Sequence, residues 1–312
     1  MIRVIGYDDR FSDGVVEVCN KCVSADEPWT EKPWNLDDFR RVWLEWPTFN
    51  VENFGLALLN DRVVGYVFAI DDGGLWIGLC VDPDLDKYLA LRTANELLSW
   101  CKYRIRNQGY SGRILIPLGW EYGYRHRLIN EVLGHRIIHH VKTWLMKFQG
   151  EPTKSTPKVG EYKVCNDWRG REEDLVLIHN EAFRNEPFFQ PVTVEMIERW
   201  FTSTRYGKPE VTLLYSQDGD PVGFVVYSIF KAFDGAYTGL VDTLAVRPKY
   251  QSKGLGKRLL LESIREMQDR TSRIILYVDE HNSRAIKLYG KVGFRAYRRV
   301  IRAVVTVDDL PS

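Results

Sequence analysis

VRPKYQSKGLGKRLL, residues Val246–Leu260, and VDPDLDKYLALRTANELL, residues Val81–Leu98, both open on Val-x-Pro after an apolar run and continue into a helical pattern. Only the later stretch places two glycines, Gly254 and Gly256, between the proline and the helix. Backbone amides at the start of a helix lack intrahelical partners and carry partial positive charge, so they attract phosphate oxygens. A phosphate reaches them only where no side chain intervenes and the turn can take unusual dihedrals, and glycine satisfies both conditions. Lys253, Lys257 and Arg258 add positive charge around the same turn. The stretch lacks the Gly-Lys-Ser/Thr ending of a P-loop and the third glycine of a dinucleotide fingerprint. Aligned from the proline, Gly254 corresponds to Leu89, Gly256 to Leu91 and Gln251 to Asp86. In the earlier stretch branched side chains would therefore fill the turn, and Asp82, Asp84 and Asp86 would repel an anion.

The frame belongs to a wider repeat. Glu27 and Glu186, Gly65 and Gly223, and Gly134 and Gly293 occupy similar local sequences at separations of 158–159. At Pro83 and Pro248 the separation rises to 165, which calls for an insertion in the second copy such as KAFDGAY, residues 231–237. Near the middle, FQGEPTKSTPKVGEYK is broken by prolines and glycines and has no apolar period, as a linker does. The expected organisation is a degenerate copy over 1–148, a linker over 149–160 and a competent copy over 161–312. The second copy reads as a short strand, two helices (EEDLVLIHNEAF and TVEMIERWF) and three strand runs. A helix from about Leu255 to Met267, a strand, a helix and a last strand follow. That order predicts a mixed α/β fold, duplicated in tandem, each copy a mixed sheet with helices on both faces.

Charge and composition narrow the function. The 312-residue chain balances 43 Lys and Arg against 42 Asp and Glu, so nothing pulls it toward nucleic acid or a membrane surface. No apolar run approaches the roughly 20 residues that span a bilayer, and the first residues lack a secretory apolar core. A cytoplasmic protein is expected, with neither nucleic acid nor membrane as partner. Five cysteines do not read as a disulfide framework. Cys19 and Cys22 form a Cys-x-x-Cys without the second pair that a structural zinc would need, so no metal is expected and one of the two thiols should be buried in the first helix.

Gln251, Gly254 and Gly256 fit the pattern Arg/Gln-x-x-Gly-x-Gly/Ala, and Asn282, Ala285, Tyr289, Gly293 and Phe294 fit Asn-x-x-Ala-x-x-x-Tyr-x-x-x-Gly-Phe. Together they resemble the GNAT superfamily of acyl-CoA-dependent N-acetyltransferases. The resemblance implies acetyl-CoA as acyl donor. Its pantetheine arm would pair with main chain at Leu244, Ala245 and Val246. Its diphosphate would rest on Gln251, Ser252, Lys253, Gly254, Leu255, Gly256 and Lys257, and Asn282 would reach the pantetheine or simply cap its own helix. Tyr289 falls where the family places a general acid beside the thioester sulfur. Asp242 is the candidate base: two positions before Leu244, it should face the same side of the strand.

Tandem copies with one stripped also resemble the mycothiol synthases within the family. That resemblance extends to HNEAFRNEPFFQPVT, residues 179–193, and makes Glu186, Phe188 and Phe189 candidate acceptor contacts. The same acid–proline–aromatic turn recurs at Glu27-Pro28-Trp29 in the stripped copy, which equally fits a packing corner. Mycothiol synthases carry a Glu base six residues before the valine of Val-x-Pro. Here that residue is Leu240, so no mycothiol acceptor is assigned. The expected activity is transfer of an acetyl group to a primary amine of a small molecule by direct attack in a ternary complex, at one site per chain. Peptide N-termini as acceptors and a non-catalytic acyl-CoA sensor are the alternatives, and oligomeric state is left open.

Overall fold

The computed structural model describes residues 1–25, 32–45, 49–71, 74–151, 162–186, 189–202 and 207–312. Phe188, the Glu27 turn and the expected linker from 152 onward lie outside the described residues. The chain forms two compact units: Met1–Thr143 with Arg298–Ser312, and Trp144–Tyr297. This division differs from one at 148 and 161, because the last strand of each half is shared out between the units.

The first unit contains β1 (Ile2–Gly6), α1 (Ser12–Ser24), α2 (Leu36–Phe39, running on as a π-helical turn to Leu44), β2 (Phe49–Leu59), β3 (Arg62–Asp71), β4 (Leu75–Val81), α3 (Lys87–Asn107), β5 (Arg113–Trp120) and α4 (Tyr124–Leu133). The strand β6 (His139–Phe148) begins in it. Strands β1 to β5 lie side by side in chain order. Helix α3 buries Ala90, Ala94, Leu97, Leu98, Cys101 and Ile105, the three-to-four spacing of one helix face. Cys19 and Cys22 of α1 are both buried, where one was expected.

The second unit contains β7 (Lys163–Cys165), α5 (Glu172–Phe183), α6 (Val194–Thr202), β8 (Glu210–Tyr215), β9 (Pro221–Lys231), β10 (Tyr237–Val246), α7 (Leu255–Gln268), β11 (Arg273–Asp279) and α8 (Ser283–Val292). The strand β12 (Phe294–Thr306) starts here and ends in the first unit. Strands β7 to β11 neighbour one another in order, antiparallel until the parallel pair β10–β11. Alternation along β9 and β10 feeds two cores. Val225 and Val241 pack with Leu255, Leu259 and Ile264 of α7, while Phe224, Val226 and Ala245 pack with α5 and α6. The mixed sheet with helices on both faces is as the sequence predicts.

The C-terminal residues complete the first unit. Val300–Thr306 of β12 run antiparallel to β5, and Ile301, Ala303, Val305, Val307 and Leu310 enter the core of that unit. The central hairpins explain the shift in repeat spacing. In the first unit Gly65 pairs with Val81 and Asp71 with Leu75; in the second Gly223 pairs with Val246 and Lys231 with Tyr237. The second hairpin has longer strands, a longer turn and one unmatched residue, Asp242, at a β-bulge between Val241 and Thr243. The insertion is thus spread over the hairpin rather than confined to KAFDGAY. Among the described residues no helix is long and apolar enough to cross a membrane.

Candidate functional site

Strand β10 pairs in parallel with β11 only from Thr238 to Val241, whereas its pairing with β9 continues to Val246. Beyond Val241 the two parallel strands therefore part, and Leu244, Ala245 and Val246 edge the opening. The chain next turns through Pro248–Tyr250 and enters α7. Ser252 and Gly254 both take left-handed backbone, φ 62° and 78°, on either side of Lys253. A non-glycine residue held there costs of order 1 kcal/mol or more, and alternating hands turn successive amides toward one point. Gly254 is the N-cap of α7, and no side chain accepts from the first amides of the helix. A Cβ on Gly256 would meet Leu288 at 3.4 Å and Val246 at 3.9 Å, ordinary contacts. Packing within the protein does not require this glycine; room for a ligand would.

Gln251 ties the loop down, its Nε2 donating to the Val246 carbonyl at 2.8 Å. Arg284, in the first turn of α8, donates to Gln251 Oε1 at 2.5 Å and comes within 3.5 Å of Ser252 Oγ. This guanidinium at the phosphate-sized nest was missed in the sequence. A signal existed, since a cation in the first turn of a helix opposes the helix dipole unless an anion is near. Asn282 caps α8, accepting from the Ala285 amide at 3.0 Å, and its Nδ2 approaches Glu186 Oε1 at 3.5 Å. His281 Nε2 also lies 3.2 Å from Glu186 Oε2. Glu186 thus links the end of α5 to the start of α8, and Asn282 does what a capping asparagine does.

Tyr289 lies on the last turn of α8, edge-on to Phe294 with ring centroids 6.2 Å apart. Its hydroxyl has no hydrogen-bond partner among the described residues, and burial pushes its pKa up to about 12. Asp242 does not follow the period of two, because the bulge resets the register at that residue. Its carboxylate instead borders a cavity of about 20 Å³ whose other walls include Leu175, Ile197, Trp200, Phe224 and Thr243. It reaches solvent, yet the apolar walls around it raise its pKa above the usual carboxylate value. No described residue forms an ion pair or hydrogen bond with it. His179 stands close by, among Phe183, Phe189 and Trp200 at centroid distances of 4.7, 6.3 and 5.5 Å, and burial lowers its pKa. Nothing local in the sequence marked His179, since its neighbours come from both helices and the turn between them. Among the described residues no group of three His, Cys, Asp or Glu is placed to hold a metal ion.

The first unit offers the same positions with different occupants. Asp86 caps α3 and accepts from the Leu89 amide at 2.9 Å, so its own carboxylate takes a helix-start amide that a phosphate would need. From the first turn of α4, the Tyr124 hydroxyl donates to the Asp82 carbonyl at 3.4 Å, and Arg125 stands beside Cys80, the counterpart of Ala245.

Residues 173–294 match the acetyltransferase (GNAT) family. The spermine/spermidine N(1)-acetyltransferase of Bacillus subtilis is 39% identical over 95 residues, 29% of this chain and 60% of that protein. A mycothiol acetyltransferase of Stackebrandtia nassauensis is 34% identical over 134 residues, 40% of this chain and 42% of that protein. The match thus spans less than two thirds of either relative. Among solved structures, a tandem GNAT protein from the clavulanic acid biosynthesis pathway superposes with TM-score 0.74 at 12% identity, covering 98% of this chain and 99% of that one. The family match thus lies in the unit that carries the open helix start, and the chain shares the fold of a tandem GNAT protein along nearly its whole length.

Proposed function

We propose that the second unit transfers an acetyl group from acetyl-CoA to a primary amine of a small molecule, by direct attack in a ternary complex, and that the first unit carries no such site. The observation behind this reading is the start of α7, where uncapped amides, two left-handed residues and Arg284 converge beside two parted strands. The amides from Ser252 to Lys257 would hold the diphosphate. Main chain at Leu244–Val246 and the Asn282 amide would hold the pantetheine. When bound, acetyl-CoA supplies an activated carbonyl carbon.

The acceptor side faces α5 and α6. An alkylamine with a pKa near 10.4 is neutral only about 0.04% of the time at pH 7, so a base is needed. Asp242 suits that role because its raised pKa makes it a stronger base than an ordinary carboxylate. The cavity beside it is the size of one water, which supports proton removal through a water held by Asp242 and Thr243. Glu186 and Phe189 flank this side, and with Phe188 they remain the acceptor contacts proposed. Tyr289 would steady the departing sulfur. From a phenol near 12 to a thiol near 8.5, full proton transfer is uphill by roughly 5 kcal/mol, so Tyr289 acts by hydrogen bonding. Polyamines, the acceptors named for one relative, fit the requirement for a primary amine.

The test is thiol release from acetyl-CoA across a panel of amines, for the wild type and Tyr289→Phe. The variant should lose about 10- to 100-fold in kcat while its affinity for coenzyme A stays within about twofold. Unchanged turnover would remove Tyr289 from the reaction. Coenzyme A binding without turnover on any amine or peptide would replace this reading with that of a sensor.

A further inference from the structure

Where the second unit holds the small cavity beside Asp242, the first unit holds a larger one. The hairpin registers equate Phe68 with Val226 and Gly78 with Thr243, counting from the pairs Gly65–Val81 and Gly223–Val246. Around these residues lies a cavity of about 290 Å³, against about 20 Å³ in the other unit. Trp43, Phe68, Ile70, Trp76, Gly78 and Pro117 form most of its wall. Phe68 and Gly78 leave far more empty space than Val226 and Thr243, although a phenyl ring has replaced an isopropyl group. The space is therefore not the result of small side chains, since aromatic rings line it.

The rings are held in place. The Phe68 ring lies directly over Gly78, where any Cβ would fall inside it. Trp43 packs at 4.5 Å from Phe68, inclined at 48°. Phe49 and Tyr66 support Phe68 from either side, at 6.1 and 6.2 Å. Trp43 and Trp76 are half-buried, so the cavity is reachable from solvent. None of the six wall residues bears a charge or a side-chain hydrogen-bond acceptor, and the bulge that brings a carboxylate to the second cavity is absent here. An amine or a sugar would be desolvated without compensation from these six side chains, and Arg302 over the Trp76 ring would repel an amine further. Water inside finds only the two indole N–H groups among these side chains, so an apolar solute displaces it favourably. Tilted aromatic walls and a volume near the lower end for ligand pockets suit one or two fused rings.

We propose that the first unit is a binding site for a small planar aromatic compound, uncharged in the part that enters the cavity framed by Trp43, Phe68 and Trp76. The stripped copy is then a binding module whose ligand differs in chemistry from either substrate of the second unit. The proposal stands whether or not the second unit transfers acetyl groups.

Calorimetric titration of the full chain with indole, naphthalene, cyclohexanol and phenethylammonium tests it, using the wild type, Trp43→Ala and the milder Trp76→Phe. Circular dichroism and thermal melting identify which variants remain folded. Indole and naphthalene should bind once per chain and at least tenfold more weakly in a folded variant. Absence of binding at millimolar indole would overturn the proposal. So would equal affinity in the wild type and folded variants. Cyclohexanol or phenethylammonium binding as tightly as indole would overturn the planar or the uncharged assignment.

Discussion

Helices α7 and α3 occupy equivalent places in the two units, and their first turns differ in what meets the helix-start amides. At α7 the cap is a glycine in left-handed backbone, and the helix-start amides are left without a side-chain acceptor. At α3 the cap is Asp86, whose carboxylate accepts from the Leu89 amide. The sequence suggested that three aspartates there would repel an anion, and the structure refines this. Asp82 is buried and bound by Lys21 and Arg62, Asp84 pairs with Lys21, and only Asp86 acts on the helix start. At α3 a helix-start donor is satisfied internally, and this rather than repulsion is what sets it apart from α7. A capping bond of this kind stabilises a helix by about 1 kcal/mol.

A second contrast lies just upstream. Arg247 and Glu181 form a bidentate pair with distances of 3.0 and 2.8 Å, and the hydrogen bonds from Arg247 hold Glu181 below its ordinary pKa. Their counterparts are Asp82 and Lys21, the same contact between the first helix and the Val-x-Pro turn with its charges reversed. The contact was kept through the reversal, which argues that it positions the turn rather than recognises a ligand. It carries the strand end into the nest in one unit and into the capped helix in the other.

The largest expected effect comes from imposing the first unit's residues on the second unit's helix start. Gly254→Leu with Gly256→Leu should weaken coenzyme A binding by at least about a hundredfold in calorimetry, because the first substitution forbids the left-handed cap and the second fills the nest. Retained affinity would break the comparison, as would two coenzyme A sites per chain in the wild type. The ion pair should give a smaller effect. Glu181→Lys alone places two cations together and should cost on the order of 2 kcal/mol by denaturant unfolding, whereas Glu181→Lys with Arg247→Asp should recover most of it. A double variant no more stable than the single would show that the two contacts are not equivalent.

The smallest effect concerns Asp242, which has no partner in the first unit's hairpin. Its folded pKa is raised, so its contribution to stability is fully present below the unfolded value and is lost as pH rises through the folded one. Asp242→Asn should therefore raise Tm slightly at pH 8 and leave it nearly unchanged at pH 3.5, while slowing turnover. A gain that is the same at both pH values would mean that ionisation of Asp242 carries no penalty.

What could be read from the sequence was local. Gly254, Gly256, Asn282 and Tyr289 sit in short motifs whose spacing fixes their element, and the order of strands and helices in the second copy followed from periodicity. Asp242 was singled out as a residue, but its setting was not foreseen. A bulge is visible only once the partner strand is known, and a period of two cannot anticipate its own interruption. Glu181 with Arg247, and Trp200 with His179, join residues of different elements, so a motif along one element could not show them. The unit boundary was hidden for the same reason: β12 reads as an ordinary last strand of the second copy until its pairing with β5 is seen.

That pairing has a consequence for biosynthesis. Leu310 lies in the core of the unit that contains β1, although more than half of the chain separates the two. The early half cannot complete its sheet on its own and must wait, partly unsealed, until β12 has been made. Met146, from the early half, is in turn buried in the core of the later one. Each half thus supplies core residues to the other, which gives a reason for keeping both in one chain.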